Sequence, residues 1–152
     1  MNLIIRRATR ADAEVICDFN RQMARETEGK DLDPAILQSG VLAMLSDSHK
    51  GSYFVAESDE QVVGQLGITL EWSDWRNGNF WWIQSVYVAA SARRQGVFRK
   101  LYQHVLQSAR AEANVIGVRL YVEHDNQVAQ ATYRKMGMVM TRYQVMEEVF
   151  GV

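Results

Sequence analysis

The pattern of apolar and polar positions in the first half of the chain predicts a strand, two helices and a hairpin. Thr9 with Asp12 three residues later forms a capping-box pattern, and Asp33-Pro34 suits the start of a second helix. Apolar residues follow both starts at helical spacing. The predicted elements are a strand at Leu3–Arg7, a helix from Thr9 to about Glu28-Gly29, a helix from Asp33-Pro34, and strands at Ser52–Glu57 and Gln61–Trp72.

The second half alternates strands with helices. Asn77-Gly78 is a strong hairpin signal, and the nearly continuous apolar run Phe80–Val88 is expected of a central strand covered on both faces. Apolar residues then repeat every four positions from Val97, which predicts a helix packed on the sheet. The remaining predictions are a strand at Val115–Val122, a loop at Glu123–Asn126, a short helix at Gln127–Met136 stopped by Gly137, and a last strand at Met138–Phe150.

Composition limits the classes of protein. A chain of 152 residues with 47% hydrophobic content is expected to fold as one domain, residues 1–152. A net charge of −1 argues against a nucleic-acid partner, and a single Cys excludes an intramolecular disulfide framework. The sequence has neither an apolar run long enough for a bilayer nor a signal peptide at its start. We therefore expect a soluble cytoplasmic protein with no membrane partner.

The turn between the central strand and the next helix carries the first candidate site. Gly96 lies where the helix begins, and four cations crowd the same end: Arg93, Arg94, Arg99 and Lys100. The N-terminal end of a helix is already positive, so each cation placed there destabilises the helix by roughly 0.3–1 kcal/mol. A cluster of cations at this end is therefore expected where an anion binds. Backbone N–H groups, a glycine and basic side chains together favour a phosphate-binding turn. The alternative is a helix that starts with solvated arginines.

This turn resembles motif A of the GNAT superfamily of acetyl-CoA-dependent N-acetyltransferases, [Q/R]-x-x-G-x-[G/A] after a central strand. Arg93 and Gly96 match, and Phe98 replaces the last small residue. The predicted order β-α-α-β-β-β-α-β-α-β resembles the family over essentially the whole chain, as does the opening IRRATRADAEVI. The resemblance implies an α/β (α+β mixed sheet) fold of GNAT acyl-CoA N-acyltransferase type, with central strands splayed to hold acetyl-CoA.

A second stretch, Asn126-x-x-Ala129-x-x-x-Tyr133-x-x-x-Gly137, resembles motif B of the family. Asn126 suits the N-cap of the short helix, and its family position implies a hydrogen bond to the pantetheine arm. Tyr133 lies two helical turns later on the same face. A core tyrosine is the plain interpretation, but the resemblance makes Tyr133 the preferred general acid for the departing CoA thiolate.

The resemblance also implies where acetyl-CoA is bound. The pantetheine would follow the backbone of Val86–Val88, and the pyrophosphate would lie on Arg94–Arg99. No metal is implied. The candidate cofactor-binding residues are Val86, Tyr87, Val88, Arg93, Arg94, Gln95, Gly96, Val97, Phe98, Arg99, Asn126 and Tyr133.

The general base is less defined by the sequence. The central strand has no carboxylate and offers Gln84 and Ser85 instead. Glu71, near the end of the preceding strand, is the first candidate. The other candidates for the base are Asp74, Glu123 and His124. Alternatively, these residues are ordinary solvated side chains, and a chain of water molecules carries the proton away.

Acidic residues near aromatic ones suggest a cationic acceptor, through ion pairing and cation–π contact. The acids are Glu26, Glu28, Asp31, Asp33, Glu71 and Asp74, and the aromatics are Trp72, Trp75, Trp81 and Trp82. A solvated acidic loop with core tryptophans is the equal alternative. Cys17 has no evident activating base, so a buried thiol is favoured over a nucleophile.

Together these features predict an N-acetyltransferase that moves the acetyl group from acetyl-CoA to a primary amine, a small cationic one, by direct transfer in a ternary complex. The alternative is a non-catalytic acyl-CoA-binding or sensing module. Nucleic-acid binding through the basic turn is disfavoured, because the patch is short and the chain nearly neutral. Family members often dimerise, and the sequence leaves a homodimer open.

Overall fold

The structure, a computed structural model, describes residues 2–151. These residues form five strands and four α-helices, and all but one of the predicted elements are present. The chain divides into two compact units, one up to Tyr121 and one from Val122. The elements are β1 (Leu3–Arg7), α1 (Ala13–Glu28), α2 (Pro34–Ser46), β2 (Ser52–Ser58), β3 (Gln61–Ser73), β4 (Gly78–Val88), α3 (Val97–Ala111), β5 (Val115–Leu120) and α4 (Gln127–Lys135).

The five strands make one mixed sheet in the order β1-β2-β3-β4-β5, as the mixed-sheet prediction required. The first four strands are antiparallel to their neighbours, and β5 runs parallel to β4. The ladder between β4 and β5 ends at Ile83↔Leu120, whereas β4 itself continues to Val88. The last part of β4 therefore has no partner in β5, because β5 ends at Leu120. The predicted splay of the central strands stays a prediction.

Helices cover both faces of this sheet. On β2, Tyr53 and Val55 pack with Ile16 and Val41 from α1 and α2. Because successive strand residues point to opposite faces, Phe54 lies on the other side, where it contacts His104 of α3 at 5.5 Å between ring centroids. Cys17 is in the first cluster, as predicted, and burial raises the pKa of its thiol. The core thus encloses the cysteine without activating it.

A polar network joins the start of α1 to the edge of the sheet. Arg6 donates two hydrogen bonds to Asp12, at 2.8 and 2.9 Å, and a third to Glu57 at 3.1 Å. Asp12 also accepts from the backbone N–H of Thr9 at 2.8 Å, as part of the predicted capping box. The Arg6 hydrogen bonds hold the pKa of Asp12 below its ordinary value, although burial acts in the opposite direction.

Replacing Asp12 with alanine is expected to lower the free energy of unfolding by about 2 kcal/mol at neutral pH, because Arg6 and the Thr9 N–H both lose their acceptor. A carboxyl whose pKa is depressed by folding stabilises the protein above its unfolded pKa and loses this effect as pH falls through its folded pKa. Urea unfolding should therefore show a large difference between wild type and Asp12→Ala at pH 7 and a smaller one near pH 3. An equal difference in the free energy of unfolding at pH 7 and near pH 3 would contradict this role of Asp12. Asp47→Ala, in an exposed turn, is the control and should change stability much less.

The structure corrects the last predicted element, the strand Met138–Phe150. Residues 138–151 form neither helix nor strand, and the described sheet has no ladder that includes them. Apart from the hydrogen bond from Met138 N to Tyr133 O, the hydrogen bonds of this segment within the described residues are local, such as Tyr143 N to Thr141 Oγ1 at 3.3 Å. The sequence of this segment is strand-like, but a strand forms only when a neighbouring strand accepts its hydrogen bonds. The prediction of a single domain stays a prediction.

Candidate active site

The turn from β4 into α3 has the conformation expected of an anion-binding loop. Arg94 and Gly96 both have left-handed backbone, with φ of 63° and 79°. Gly96 directly precedes α3, and a Cβ built on it would meet no protein atom within 4 Å. The backbone conformation therefore favours glycine here, and the space beside Gly96 is open to a ligand.

The electrostatics of this turn suit a phosphate. The first N–H groups of a helix have no partner within the helix. Arg94, Arg99 and Lys100 are exposed, and none of them forms an ion pair with another described residue. Val97 is 2% exposed, so it can offer a ligand only its backbone. The turn therefore combines open space, N–H donors and uncompensated positive charge.

Arg93, which matches the family motif, is engaged within the protein. Its guanidinium bonds to Glu26 at 2.8 Å and to the carbonyl of Val88 at 2.9 Å, and it lies 5.2 Å from the centroid of the Tyr87 ring. The Tyr87 hydroxyl donates to the same carboxylate at 2.9 Å. Hydrogen bonds from Tyr87 and Arg93 lower the pKa of Glu26. Arg93 thus fastens the turn to α1, which leaves the other cations for an anion.

The part of β4 that extends beyond its pairing with β5 contains a bulge that the sequence did not reveal. Gln65 pairs with Tyr87 and Gly67 with Gln84, so one extra residue of β4 lies between them. Ser85, in this bulge, has φ of 51°. The buried Gln65 side chain donates to the carbonyl of Ser85 at 3.0 Å and to Asn20 Oδ1 at 2.9 Å. A bulge re-aims the strand backbone, and this one lies just beyond Ile83, the last residue of β4 that pairs with β5.

Glu71, the first candidate base, lies on β3 among residues of β4 and β5. Its Oε1 accepts from Arg119 at 2.7 Å and from the indole N–H of Trp82 at 3.2 Å. Its Oε2 accepts no hydrogen bond from the described residues, and the side chain is 46% exposed. Arg119 in turn lies 3.6 Å from the centroid of the Phe80 ring. One carboxylate oxygen is thus oriented by its neighbours and the other faces no internal donor.

Arg119 was missed by the sequence analysis. Its one local signal is that it is the single charged residue in the short apolar strand β5. Its partner Glu71 is 48 positions away, so the pair follows from the sheet order and not from any local pattern.

The predicted acidic cluster is not gathered around one space. Glu26 binds Arg93, Asp31 binds Arg25 at 2.8 Å, and Asp33 caps α2 by accepting from the N–H groups of Ala35 and Ile36. These carboxylates therefore have local structural roles. Among the tryptophans, Trp81 is in the core and Trp82 is half-buried, whereas Trp72 and Trp75 are 58% and 91% exposed.

The second unit carries the other candidate residues. Asn126 caps α4, as predicted, by accepting from the N–H of Ala129 at 3.1 Å. Tyr133 lies on the same helix, and burial raises the pKa of its phenol above the ordinary value. The hydroxyl therefore stays protonated at neutral pH. His124 is fully exposed beside Asp125, at 3.2 Å from its carboxylate.

Residues 2–151 contain no cluster of three or more His, Cys, Asp or Glu side chains suited to a metal ion. Within the same range, every helix is too short or too polar to cross a bilayer. The predicted cytoplasmic location stays a prediction.

A family model and a solved structure both identify this chain with acetyltransferases. Residues 14–138 match the family model described as acetyltransferase (GNAT) family. A crystal structure of "a possible acetyltransferase from Clostridium difficile 630" is 45% identical, with a TM-score of 0.93 over 99% of this chain and 100% of that one. No curated protein sequence matches the chain.

Two more distant structures share the fold. Glucosamine-6-phosphate N-acetyltransferase from Arabidopsis thaliana is 18% identical, with a TM-score of 0.74 over 99% of this chain and 100% of that one. A "predicted acetyltransferase with acetyl-CoA from Clostridium acetobutylicum" is 16% identical, with a TM-score of 0.78 over 97% and 96%. At this identity they support the architecture alone.

Proposed function

Because this chain belongs to the GNAT acetyltransferase family, we propose that it transfers the acetyl group of acetyl-CoA directly to a primary amine. The observation that carries the proposal is the open, positively charged turn at Gly96, together with the end of β4, which extends beyond its pairing with β5. A turn of this kind suits a pyrophosphate, and an unpaired strand edge suits an extended amide-containing arm.

Acetyl-CoA would be held mainly by backbone. The pyrophosphate would accept hydrogen bonds from the N–H groups at Gly96–Phe98 and ion-pair with Arg94, Arg99 and Lys100. The pantetheine amides would bond to the backbone of Val86–Val88, which lacks a β5 partner. From the family resemblance, Asn126 would add a hydrogen bond to the same arm.

The chemical step is attack of the neutral amine on the thioester carbonyl. The new C–N bond forms, the C–S bond breaks, and the sulfur leaves with the electron pair. The phenol of Tyr133 would donate a proton or a hydrogen bond to this thiolate, and the substrate nitrogen would lose its proton to a base. Holding both substrates in one complex would supply much of the rate enhancement.

Glu71 is the proposed base, because Arg119 and Trp82 fix its Oε1 while Oε2 accepts no hydrogen bond from the described residues. Asp74, Glu123, His124 and water remain the alternatives. Glu71→Gln keeps the shape and the possibility of a hydrogen bond but removes the basic oxygen, so kcat/KM for the amine should fall by about 10²-fold. Steady-state assays of Glu71→Gln and of Asp74→Asn, the alternative base in the adjacent turn, would measure this and compare the two candidates. Equal activity in wild type and Glu71→Gln would exclude Glu71 and leave Asp74, Glu123, His124 or water as the proton acceptor.

The acceptor is proposed to be a small cationic amine. Exposed Trp72 and Trp75 lie close in sequence to Glu71, so aromatic faces and a carboxylate are available on this loop. A panel of polyamines, amino acids, aminoglycosides and neutral amines, with detection of released thiol, would rank the acceptors. The best acceptor should be cationic, and its KM should rise with salt because exposed charge pairs are screened. A neutral or anionic best acceptor would contradict the proposed class.

A further inference from the structure

The sheet face away from α3 carries aromatic side chains at its β4–β5 edge. Trp81 lies on the α3 side, where its ring is 6.4 Å from the ring of Phe54. Because successive strand residues point to opposite faces, Phe80 and Trp82 lie on the other face. The ring of Tyr121 packs against Trp82 there, with 4.5 Å between ring centroids and 32° between ring planes. We call Trp82 and Tyr121 the aromatic pair.

The aromatic pair adjoins both the proposed base and the strand segment proposed to hold acetyl-CoA. The indole N–H of Trp82 donates to Glu71 Oε1 at 3.2 Å. Tyr121 directly follows Leu120, the last residue of β5, which pairs with Ile83 of β4. Beyond Ile83, β4 continues without a β5 partner toward the basic turn. An amine that reaches both Glu71 and the thioester would therefore lie beside these two rings.

The ring of Tyr121 leaves a flat surface open. Tyr121 packs on Trp82 and is still 62% exposed. The neighbouring ring of Phe80 is covered by two guanidinium groups, since Arg119 lies 3.6 Å and Arg76 5.3 Å from its centroid. Aromatic rings stack in offset or tilted pairs with centroids about 4.5–7 Å apart, and this stabilises them beyond simple burial. Tyr121 can therefore stack on a further ring, one supplied by a ligand.

The charges near the aromatic pair favour an acceptor with one positive charge. Glu71 is paired with Arg119 at 2.7 Å, so one oxygen of this carboxylate already has a cationic partner. Asp74 shares the following turn with Arg76. A polyamine or an aminoglycoside would bring several ammonium groups beside these arginines, and like charges repel. A single ammonium matches the remaining oxygen of Glu71.

We propose that the acceptor is a primary amine with a single positive charge and an aromatic ring on a short alkyl chain. Its ammonium binds Glu71, and its ring stacks on Tyr121. This inference rests on the proposed acetyl transfer and specifies its substrate, and the bonds that form and break are those given above. Tyr121 touches the substrate but exchanges no proton with it, so it determines specificity and not the rate of the chemical step.

Acetyl transfer to amines that differ in ring and charge tests the proposal. Wild type should show a kcat/KM for phenethylamine about 10-fold above those for hexylamine and spermidine. Tyr121→Leu keeps an apolar side chain but removes the ring, so KM for phenethylamine should rise about 10-fold, with kcat and the hexylamine values unchanged. Tyr143→Leu, at a similarly exposed tyrosine after α4, is the matched control and should keep the preference. A wild-type preference for spermidine, equal kcat/KM for phenethylamine and hexylamine, or an unchanged preference in Tyr121→Leu would overturn the aromatic acceptor.

Binding without turnover separates this inference from the proposed function. Calorimetric titration of phenethylamine and of hexylamine into the protein with CoA present should show about 10-fold tighter binding of phenethylamine in wild type and no difference in Tyr121→Leu. Ring-dependent binding without any acetylated product would support the aromatic site and contradict acetyl transfer. Acetylation of several amines without ring-dependent binding would leave acetyl transfer standing and overturn the aromatic acceptor. Absence of both would overturn both.

Discussion

Tyr133→Phe is expected to lower kcat by about 10²–10⁴-fold, equivalent to roughly 3–5 kcal/mol in the barrier. The substitution removes only the hydroxyl, so packing of α4 and affinity for acetyl-CoA should hardly change. The loss should appear in kcat and not in the acetyl-CoA KM, because the contact strengthens as charge develops on the sulfur.

The pH dependence provides a second measure of the same role. Burial raises the pKa of the Tyr133 phenol, so the protonated form that donates persists to alkaline pH. Wild-type kcat should fall only when pH passes above the ordinary value of about 10, and this alkaline decline should be absent from Tyr133→Phe. Tyr143→Phe, in the exposed segment after α4, is the matched control and should keep the wild-type kcat. Full kcat in Tyr133→Phe under chemistry-limited conditions would leave water as the proton donor.

Gly96→Glu is expected to abolish measurable CoA binding, weakening it by at least about 100-fold. A glutamate here would place negative charge and bulk in the open space beside the first turn of α3, where the pyrophosphate is proposed to lie. It would also strain the backbone, since φ of 79° is unfavourable for residues other than glycine. Calorimetric titration with CoA would measure the loss directly.

Gly29→Glu separates the ligand effect from the strain. Gly29 has φ of 61° and, like Gly96, would place a Cβ within 4 Å of no protein atom. The two variants therefore share the charge and the type of backbone strain, but Gly29 follows α1 and is not part of the turn between β4 and α3. Gly29→Glu should lose stability and retain CoA binding. If both variants bound CoA equally, the assignment of the turn would be wrong.

Local sequence patterns predicted most of the fold and the position of the turn. Helix starts at Thr9 and Asp33, the hairpin at Asn77-Gly78 and the glycine before α3 are each specified by a few adjacent residues. The apolar run Phe80–Val88 likewise identified the central strand. These signals depend on backbone preferences and periodicity, which the sequence displays directly.

Contacts between distant residues could not be predicted in the same way. Arg93 meets Glu26 across 67 positions, and nothing near either residue indicates that the motif arginine is occupied within the protein. The bulge at Ser85 depends on the register of β3 against β4 and on the buried side chain of Gln65. The prediction of a strand at Met138–Phe150 was wrong for a related reason, because propensity specifies that a segment is extended but not what it pairs with.

Acetyl transfer itself is the most direct test of the proposed function. Purified protein would be incubated with acetyl-CoA and the cationic amine panel, and free CoA thiol and acetylated amine would be quantified together, the latter by mass spectrometry. The proposed function predicts equal amounts of the two products with at least one amine, and neither product with Gly96→Glu. Two results would contradict amine acetylation. Binding of acetyl-CoA with no acetylated amine across the panel would indicate an acyl-CoA-binding module. Release of free CoA thiol with no acetylated amine would indicate a hydrolase.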